Sequence, residues 1–484
     1  MNYKAYLQMN TYTHRFLYFL FAALLAFSSC KQANHAKIDD ISLSTPAYET
    51  IRDRGDTLVA LTVSTSASYF IYRGRTLGYE YEMLNKLADH LELHLRIKLV
   101  DNMDSLCHML NRGEGDLIAY TLTVTNSRRQ EVDFTQRLYD SPQVLVQRKP
   151  DNWNEMKRHN IDNQLIRNVL DIKQSPIYVR RNSSYYSRLL NLEDEIGDSL
   201  NIIIAEGTQS TFDLIDRVAK GEIEYTVADQ ELASLYAAHN NIIDYATPVS
   251  FPQKKAWAVR KDSPQLLADI NAFLSYFKRY QEYYFIYDKY FKNPSTYKKI
   301  TRSPYSSQTG KLSQYDDIIK SEAAQINWDW RLLASQVYQE SHYDQSQISW
   351  MGAIGLMQVL PSTADMHGFK NLYHAGTNVR TGVMHLKYID KSFSELDSIN
   401  RVKFTLAAYN VGLGHVYDAQ RLATYLGLDP TVWDGNVAEA ILLKSQPKYY
   451  QLPECRNGYC RGSEPYKYVN EILNRYENYK LLID

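Results

Sequence analysis

Three things are scarce in this chain, and each closes off a class of function. Charge of one sign is the first: 54 basic residues stand against 55 acidic ones, a formal net charge of -1. With no basic block either, the electrostatic footprint of a nucleic-acid partner is missing. Long apolar runs are the second. The uncharged apolar and aromatic run from Phe16 to Phe27 is twelve residues, too short to span a bilayer as a helix. Cysteine is the third, with four in the chain: Cys30, Cys107, Cys455 and Cys460. Cys107 reads as a buried thiol. Cys455 and Cys460 can close a hairpin by a disulfide in an exported protein. Their spacing would also suit half a metal site, but no second cluster of Cys or His accompanies it, so no metal and no cofactor is expected.

What is present begins with the amino terminus. Lys4 and Arg15 precede the apolar run, and no acid falls among the first fifteen residues, the pattern of an export signal. Phe27, Ser28 and Ser29 put small residues before Cys30, which resembles a lipobox with cleavage ahead of the cysteine; an ordinary signal peptide with an incidental cysteine is the alternative. Several acyl chains on Cys30 would make a stable anchor. Residues 1–29 are then the signal and 30–56 the lipidated tether, with the polar stretch Lys31 to Pro46 inside it. About 455 residues remain, enough for two or three domains. Tyrosine is abundant, forty in all; its amphipathic ring suits the handling of sugars and also serves ordinary cores.

The chain is organised around residues 328–364. Leu332, Leu333, Ser335, Gln336, Val337 and Tyr338 lead into Glu340 without Gly or Pro, a helix of about three turns ending near Glu340. A carboxyl there gains nothing from the helix dipole, whose negative end favours the protonated acid. Gly352, Gly355 and Pro361 follow in an apolar run holding one amide, Gln358. Glycines at that density let backbone approach backbone or ligand. Folded over the helix end, such a loop would bury Glu340 and raise its pKa, as a general acid requires.

Glu340-Ser341, Ser349, Gly352-Ala353, Gly355 to Gln358 and Pro361 resemble the first two motifs of the soluble-type, family 1 lytic transglycosylases. Ala407 to Asn410 with Gly412 and Gly414 resembles the third, and Tyr468-Val469 the fourth. Leu360 departs from the pattern, where many relatives carry Met; a similar-sized apolar group fills the same wall. The resemblance implies a mainly α, lysozyme-like domain over 315–484, with Glu340 as the catalytic acid. It also implies that Ser349, Gln358, Tyr409, Asn410 and Tyr468 hold the substrate or orient the carboxyl.

Upstream, Thr57 to Val63, Ile97 to Val100 and Gly115 to Ala119 read as strands. Helical runs through Ala88 and through Leu110 separate them. This βαβαβ unit is expected to bind ligands beyond the carboxyl ends of its strands. Residues 57–290 resemble the solute-binding protein family 3, best in Thr121 to Arg129 and Val132 to Phe134. The fold implied is an α/β, two-lobed periplasmic-binding-protein domain. By the same resemblance Thr123 and Arg128 grip a ligand carboxylate, the planar fork of Arg giving two parallel charged bonds. Gly207 to Ser210, with Thr208, matches an anion-capping loop of the second lobe, and Asp229 matches the receiver of an α-amino group. Arg129 is a competing candidate for the arginine role. Residues 291–314, with Pro294 and Pro304, read as a linker. The two resemblances, in this order, match membrane-bound transglycosylases that pair the two domains.

These resemblances imply an enzyme acting on peptidoglycan glycan strands from the periplasmic face of the outer membrane, with muropeptides or amino acids as ligands of the first domain. Two alternatives stay open. Asp344, four residues after Glu340, would make a two-carboxylate muramidase if the helix persisted; a turn at Ser341 to Tyr343 would carry it away. A wall-binding sensor without catalysis is the other.

Overall fold

A computed structural model describes residues 46–484 apart from 66, 101–102, 173–174, 206–208, 294–297 and 299–302. The export run, Cys30 and Thr208 lie outside the described residues. Among the described residues no helix is long and apolar enough to cross a membrane.

Strand β1 (Thr57–Thr62) has five of its six residues buried, as a parallel strand covered on both faces must. A hairpin follows, β2 (Phe70–Tyr72) and β3 (Arg75–Leu77), then helix α1 (Tyr79–Leu91), strand β4 (His94–Leu99) and strand β5 (Leu117–Thr123). Strand β1 lies between β4 and β5 and runs parallel to both. The βαβαβ unit expected from the sequence is there, with the hairpin as an addition. Past β6 (Asp133–Phe134) and β7 (Tyr139–Ser141) the chain enters a second sheet. Its strands are β8 (Gln143–Arg148), β9 (Ile177–Val179), β10 (Ile202–Ile204), β11 (Tyr225–Asp229) and β12 (Ile243–Pro248), in the order β10-β9-β11-β8-β12. Strand β13 (Gln253–Val259) returns to the first sheet, antiparallel to β5. Two sheets joined by two crossings make the two-lobed α/β architecture. Helix α2 (Pro264–Phe277) starts on a proline, which its first turn tolerates. It buries Leu266, Ile270, Phe273, Leu274 and Phe277 against the first lobe.

The remainder is helical: α3 (Asp316–Ala323), α4 (Trp330–Ser341), α5 (Ala375–Lys391), α6 (Ser398–Val411), α7 (Leu413–Tyr425) and α8 (Ser463–Leu482). Val379, Val383, Leu386 and Ile389 of α5 are all buried, as their helical spacing requires. Helix α8 packs on both α4 and α6, so the acid-bearing helix is held by the last element of the chain.

The hairpin has a job the sequence pattern does not announce: it docks the first lobe onto the helical domain. Ile71 is buried in the same cluster as Leu312, Leu333 and Val337. Arg73 N–H donates to Tyr305 O (2.9 Å) and Ser307 N–H to Ile71 O (3.0 Å). The hydroxyl of Tyr479 donates to Gly74 O at 2.6 Å, and that of Tyr69 to Asn478 Oδ1 at 2.5 Å. Gly74 has φ +76°, and a Cβ there would sit 2.4 Å from Tyr343 Cε2. Only glycine lets the turn come this close.

One expectation is corrected. Cys455 and Cys460 are separate buried thiols and not a disulfide. The turn between them is closed by a carboxylate instead. Asp418 accepts the N–H groups of Arg456 (3.0 Å) and Asn457 (2.8 Å) and pairs with buried Lys444 (2.6 Å). With those donors and charges satisfied, the turn needs no covalent closure.

Candidate active site

Helix α4 starts on Asp329, whose carboxylate accepts Arg331 N–H at 2.9 Å, a normal N-cap. It ends at Ser341, with His342 left-handed at φ 52°. Glu340 is therefore in the last turn, and the chain turns away directly behind it. Ser341 explains why a serine follows the acid. Its hydroxyl donates to Leu356 O (2.9 Å) and bonds back to Val337 O (3.2 Å), tying the helix end to the glycine-rich loop.

Asn378, on α5, fixes the other side of that loop. Its Nδ2 donates to Ile354 O (2.8 Å) and Leu372 O (2.9 Å), and its Oδ1 accepts Met357 N–H (2.9 Å). The residue is fully buried, and three bonds meet the polar demand of its side chain. Sequence reasoning missed it, because a lone Asn on an apolar helical face carries no spacing signal.

The carboxyl of Glu340 is packed among protein atoms without being sealed from solvent. Burial pushes its pKa up to about 7, and the Tyr468 hydroxyl holds it from rising further. Tyr468 donates to Glu340 Oε1 and accepts from Gln336 Nε2 at 3.2 Å. A hydrogen bond to the charged form favours that form. Tyr468→Phe should therefore raise the pKa of Glu340 and move the alkaline limb of activity to higher pH. A rate-against-pH profile checks this; a limb at unchanged pH would mean the bond does not tune the acid.

The other expected residues take different places. Tyr409 donates to Met357 O at 2.8 Å, bracing the loop, and its own ionisation is suppressed by burial and then by nearby Glu340. Ser349 Oγ accepts Ala353 N–H at 3.0 Å, and Gln358 Nε2 donates to Gly355 O (3.0 Å) and Gln347 O (3.1 Å), so both build the turn. Asn410 is exposed and lines a depression with Tyr468, Gln339 and Glu471. Trp350, 93% exposed, projects from the same loop.

Other carboxyls are already committed. Asp344 sits exposed in the turn after α4, accepting Ser346 N–H (2.8 Å) and its hydroxyl (2.6 Å); those bonds lower its pKa. Glu471 accepts from Gln339 Nε2 at 2.7 Å, and Glu464 pairs with Arg461 at 3.1 Å.

The first domain has a second candidate site between its lobes. Thr123, Arg128 and Asp229 all line that cleft. Arg128 is half-buried and donates to Thr123 O at 3.1 Å, whereas Arg129 is exposed. Arg180 of the second lobe reaches Asp104 of the first at 3.4 Å. Glu80 and Lys255, which sequence reasoning did not single out, also face this cleft. Glu80 is pushed up to about 7 by burial, although Trp257 Nε1 and Thr121 N–H each donate to it at 2.8 Å. Among the described residues no group of three or more His, Cys, Asp and Glu could hold a metal ion.

Residues 60–293 match the bacterial extracellular solute-binding proteins, family 3, and residues 317–427 the transglycosylase SLT domain. These matches define a class: an enzyme of the lytic transglycosylase kind that carries a two-lobed solute-binding module on the same chain. Curated relatives match over nearly the whole length. A membrane-bound lytic murein transglycosylase F of Desulfosudis oleivorans is 32% identical over 429 residues, 88% of this chain and 90% of that one. Another, of Shewanella woodyi, is 29% identical over 462 residues, 94% and 90% of the two chains. The chain belongs to the membrane-bound lytic murein transglycosylase F family. Among solved structures, an ancestral arginine-binding protein bound to arginine matches 49% of this chain and 98% of its own, at 21% identity and a TM-score of 0.41.

Proposed function

We propose that the protein cleaves the β-1,4 bond between N-acetylmuramic acid and N-acetylglucosamine in peptidoglycan and leaves 1,6-anhydromuramic ends. The observation that carries this is Glu340, a carboxyl at the end of α4 that bonds to Tyr468 and whose pKa burial pushes up to about 7, while the carboxyls of Asp344, Glu471 and Glu464 bond elsewhere. Protonated Glu340 gives its proton to the bridging oxygen as the bond to C1 breaks, with the N-acetyl carbonyl assisting at C1. The carboxylate so formed takes the proton of the muramic 6-hydroxyl, and O6 bonds to C1. The acid is restored and no water enters, unlike a hydrolase, which uses a second carboxylate to activate water or form an adduct.

One group cycling this way has a definite pH signature. Only protonated Glu340 starts a turnover, so activity on purified cell wall should be full below about pH 6 and fall through about 7. Two catalytic carboxyls would instead give a bell. Clearing of purified cell-wall sacculi across pH tests both parts: no clearing at any pH contradicts the substrate, and a flat or bell-shaped profile contradicts the single acid.

The same reading places the enzyme at the periplasmic face of the outer membrane, acylated on Cys30, which keeps it beside a fixed polymer. The first domain then serves as a sensor of muropeptides or amino acids, held by Thr123, Arg128, Thr208 and Asp229. Lobe closure could reach α4 through the β2–β3 hairpin, provided two states differ in ligand affinity.

A further inference from the structure

The cleft between the lobes already contains a cation of the protein's own. Lys255, on β13 of the first lobe, is 2% exposed. Its Nζ lies 2.5 Å from Asp229 Oδ2 and 2.7 Å from Thr123 Oγ1. Asp229 ends β11 of the second lobe, so this ion pair bridges the cleft at the position expected to receive a ligand ammonium. About 50 Å³ of open space is left there, room for a few waters.

The partners left over describe what could enter. Arg128 lines the cleft and, among the described residues, pairs with no carboxylate; it suits a ligand carboxylate. Asp229 Oδ1 is buried and makes no well-formed hydrogen bond among the described residues, although the Tyr185 hydroxyl lies close to the carboxylate. It can accept one uncharged N–H, while the charge of Asp229 is already matched by Lys255. A free α-amino acid would bring an ammonium against the lysine ammonium. At effective dielectrics near 20, like charges about 4 Å apart disfavour binding by about a hundredfold or more. Moving Lys255 aside would break a buried pair and strand its partner.

We propose that this module takes carboxylates whose α-nitrogen is acylated, as at the carboxyl end of a peptide, and rejects free α-amino acids, because Lys255 occupies the ammonium position. The proposal rests on reading the first domain as a ligand-binding clamp, and it narrows the ligand class of that clamp.

The test is calorimetric titration of the full chain with alanine, glutamate and arginine, each as the free amino acid and as its Nα-acetyl form. At least one acetylated probe should bind about a hundredfold or more tighter than its free partner, as the charge argument requires. Lys255→Ala should gain affinity for the free form by a similar factor, and the gain should vanish in Lys255→Ala/Asp229→Asn. Melting curves establish that each variant is folded, and the wild-type comparison stands without them. Free amino acids bound by wild type as tightly as acetylated ones, or an unchanged preference in folded Lys255→Ala, overturns the lysine inference and leaves the clamp reading intact. No binding of any probe by any of the proteins overturns both.

Discussion

Glu340→Gln should slow the clearing of purified cell wall by about a thousandfold or more, within the range set by removing a general acid. The amide keeps the size of the side chain and can still meet Tyr468, so the helix end and loop should stay in place. What it loses is the proton it must give and take back. Asp344→Asn is the paired control. Asp344 is exposed, and among the described residues its carboxylate bonds to Ser346, so its loss should leave activity within about twofold, as for surface changes in general. Rates of both variants on one batch of cell wall decide. Equal losses would mean that two carboxylates share the chemistry.

Gly355→Ala should be the most damaging change in the loop beside the acid. Gly355 has φ +76°, and a Cβ would lie 2.5 Å from Asn378 Nδ2 and 3.2 Å from Leu372 O. The substitution forces a strained backbone and displaces the one buried amide that ties Ile354, Met357 and Leu372 together. The two effects together should cost about 3 kcal/mol. That corresponds to a fall of about 6–12 °C in the melting of a domain this size. Activity should fall with it, since Ser341 and Tyr409 both bond to this loop. Differential scanning calorimetry reads the first effect, and an undisturbed melting temperature would show that the loop does not depend on that contact.

Much of this was legible from local pattern. The helix under Glu340 is an uninterrupted run, and the segments around β1, α1, β4 and β5 each carry their own period. The surroundings of Glu340, a helix end before a glycine-rich loop, were legible because they are contiguous in the chain. Other features depend on partners far apart. Gly74 meets Tyr479, and Tyr69 meets Asn478, across some 400 residues, so nothing near the hairpin marks it as a joint. Lys255 follows another lysine at the start of a strand and looks like an edge charge until Asp229 is brought opposite. The cysteine pair misled for a related reason: Asp418, on α7, and Lys444, just past the end of another helix, close that turn from outside it. Ser349 and Gln358 carry motif positions, yet their visible bonds are to the loop itself.

The origin of the oxygen at the cleaved carbon separates ring closure from hydrolysis most directly. Digesting purified cell wall with this protein in water enriched in oxygen-18, and weighing the released muropeptides, reads that origin. Muramic ends should be lighter by one water than a hydrolysis product and free of the heavy isotope, because O6 of the same sugar closes on C1. Reducing muramic ends that carry oxygen-18 would contradict ring closure.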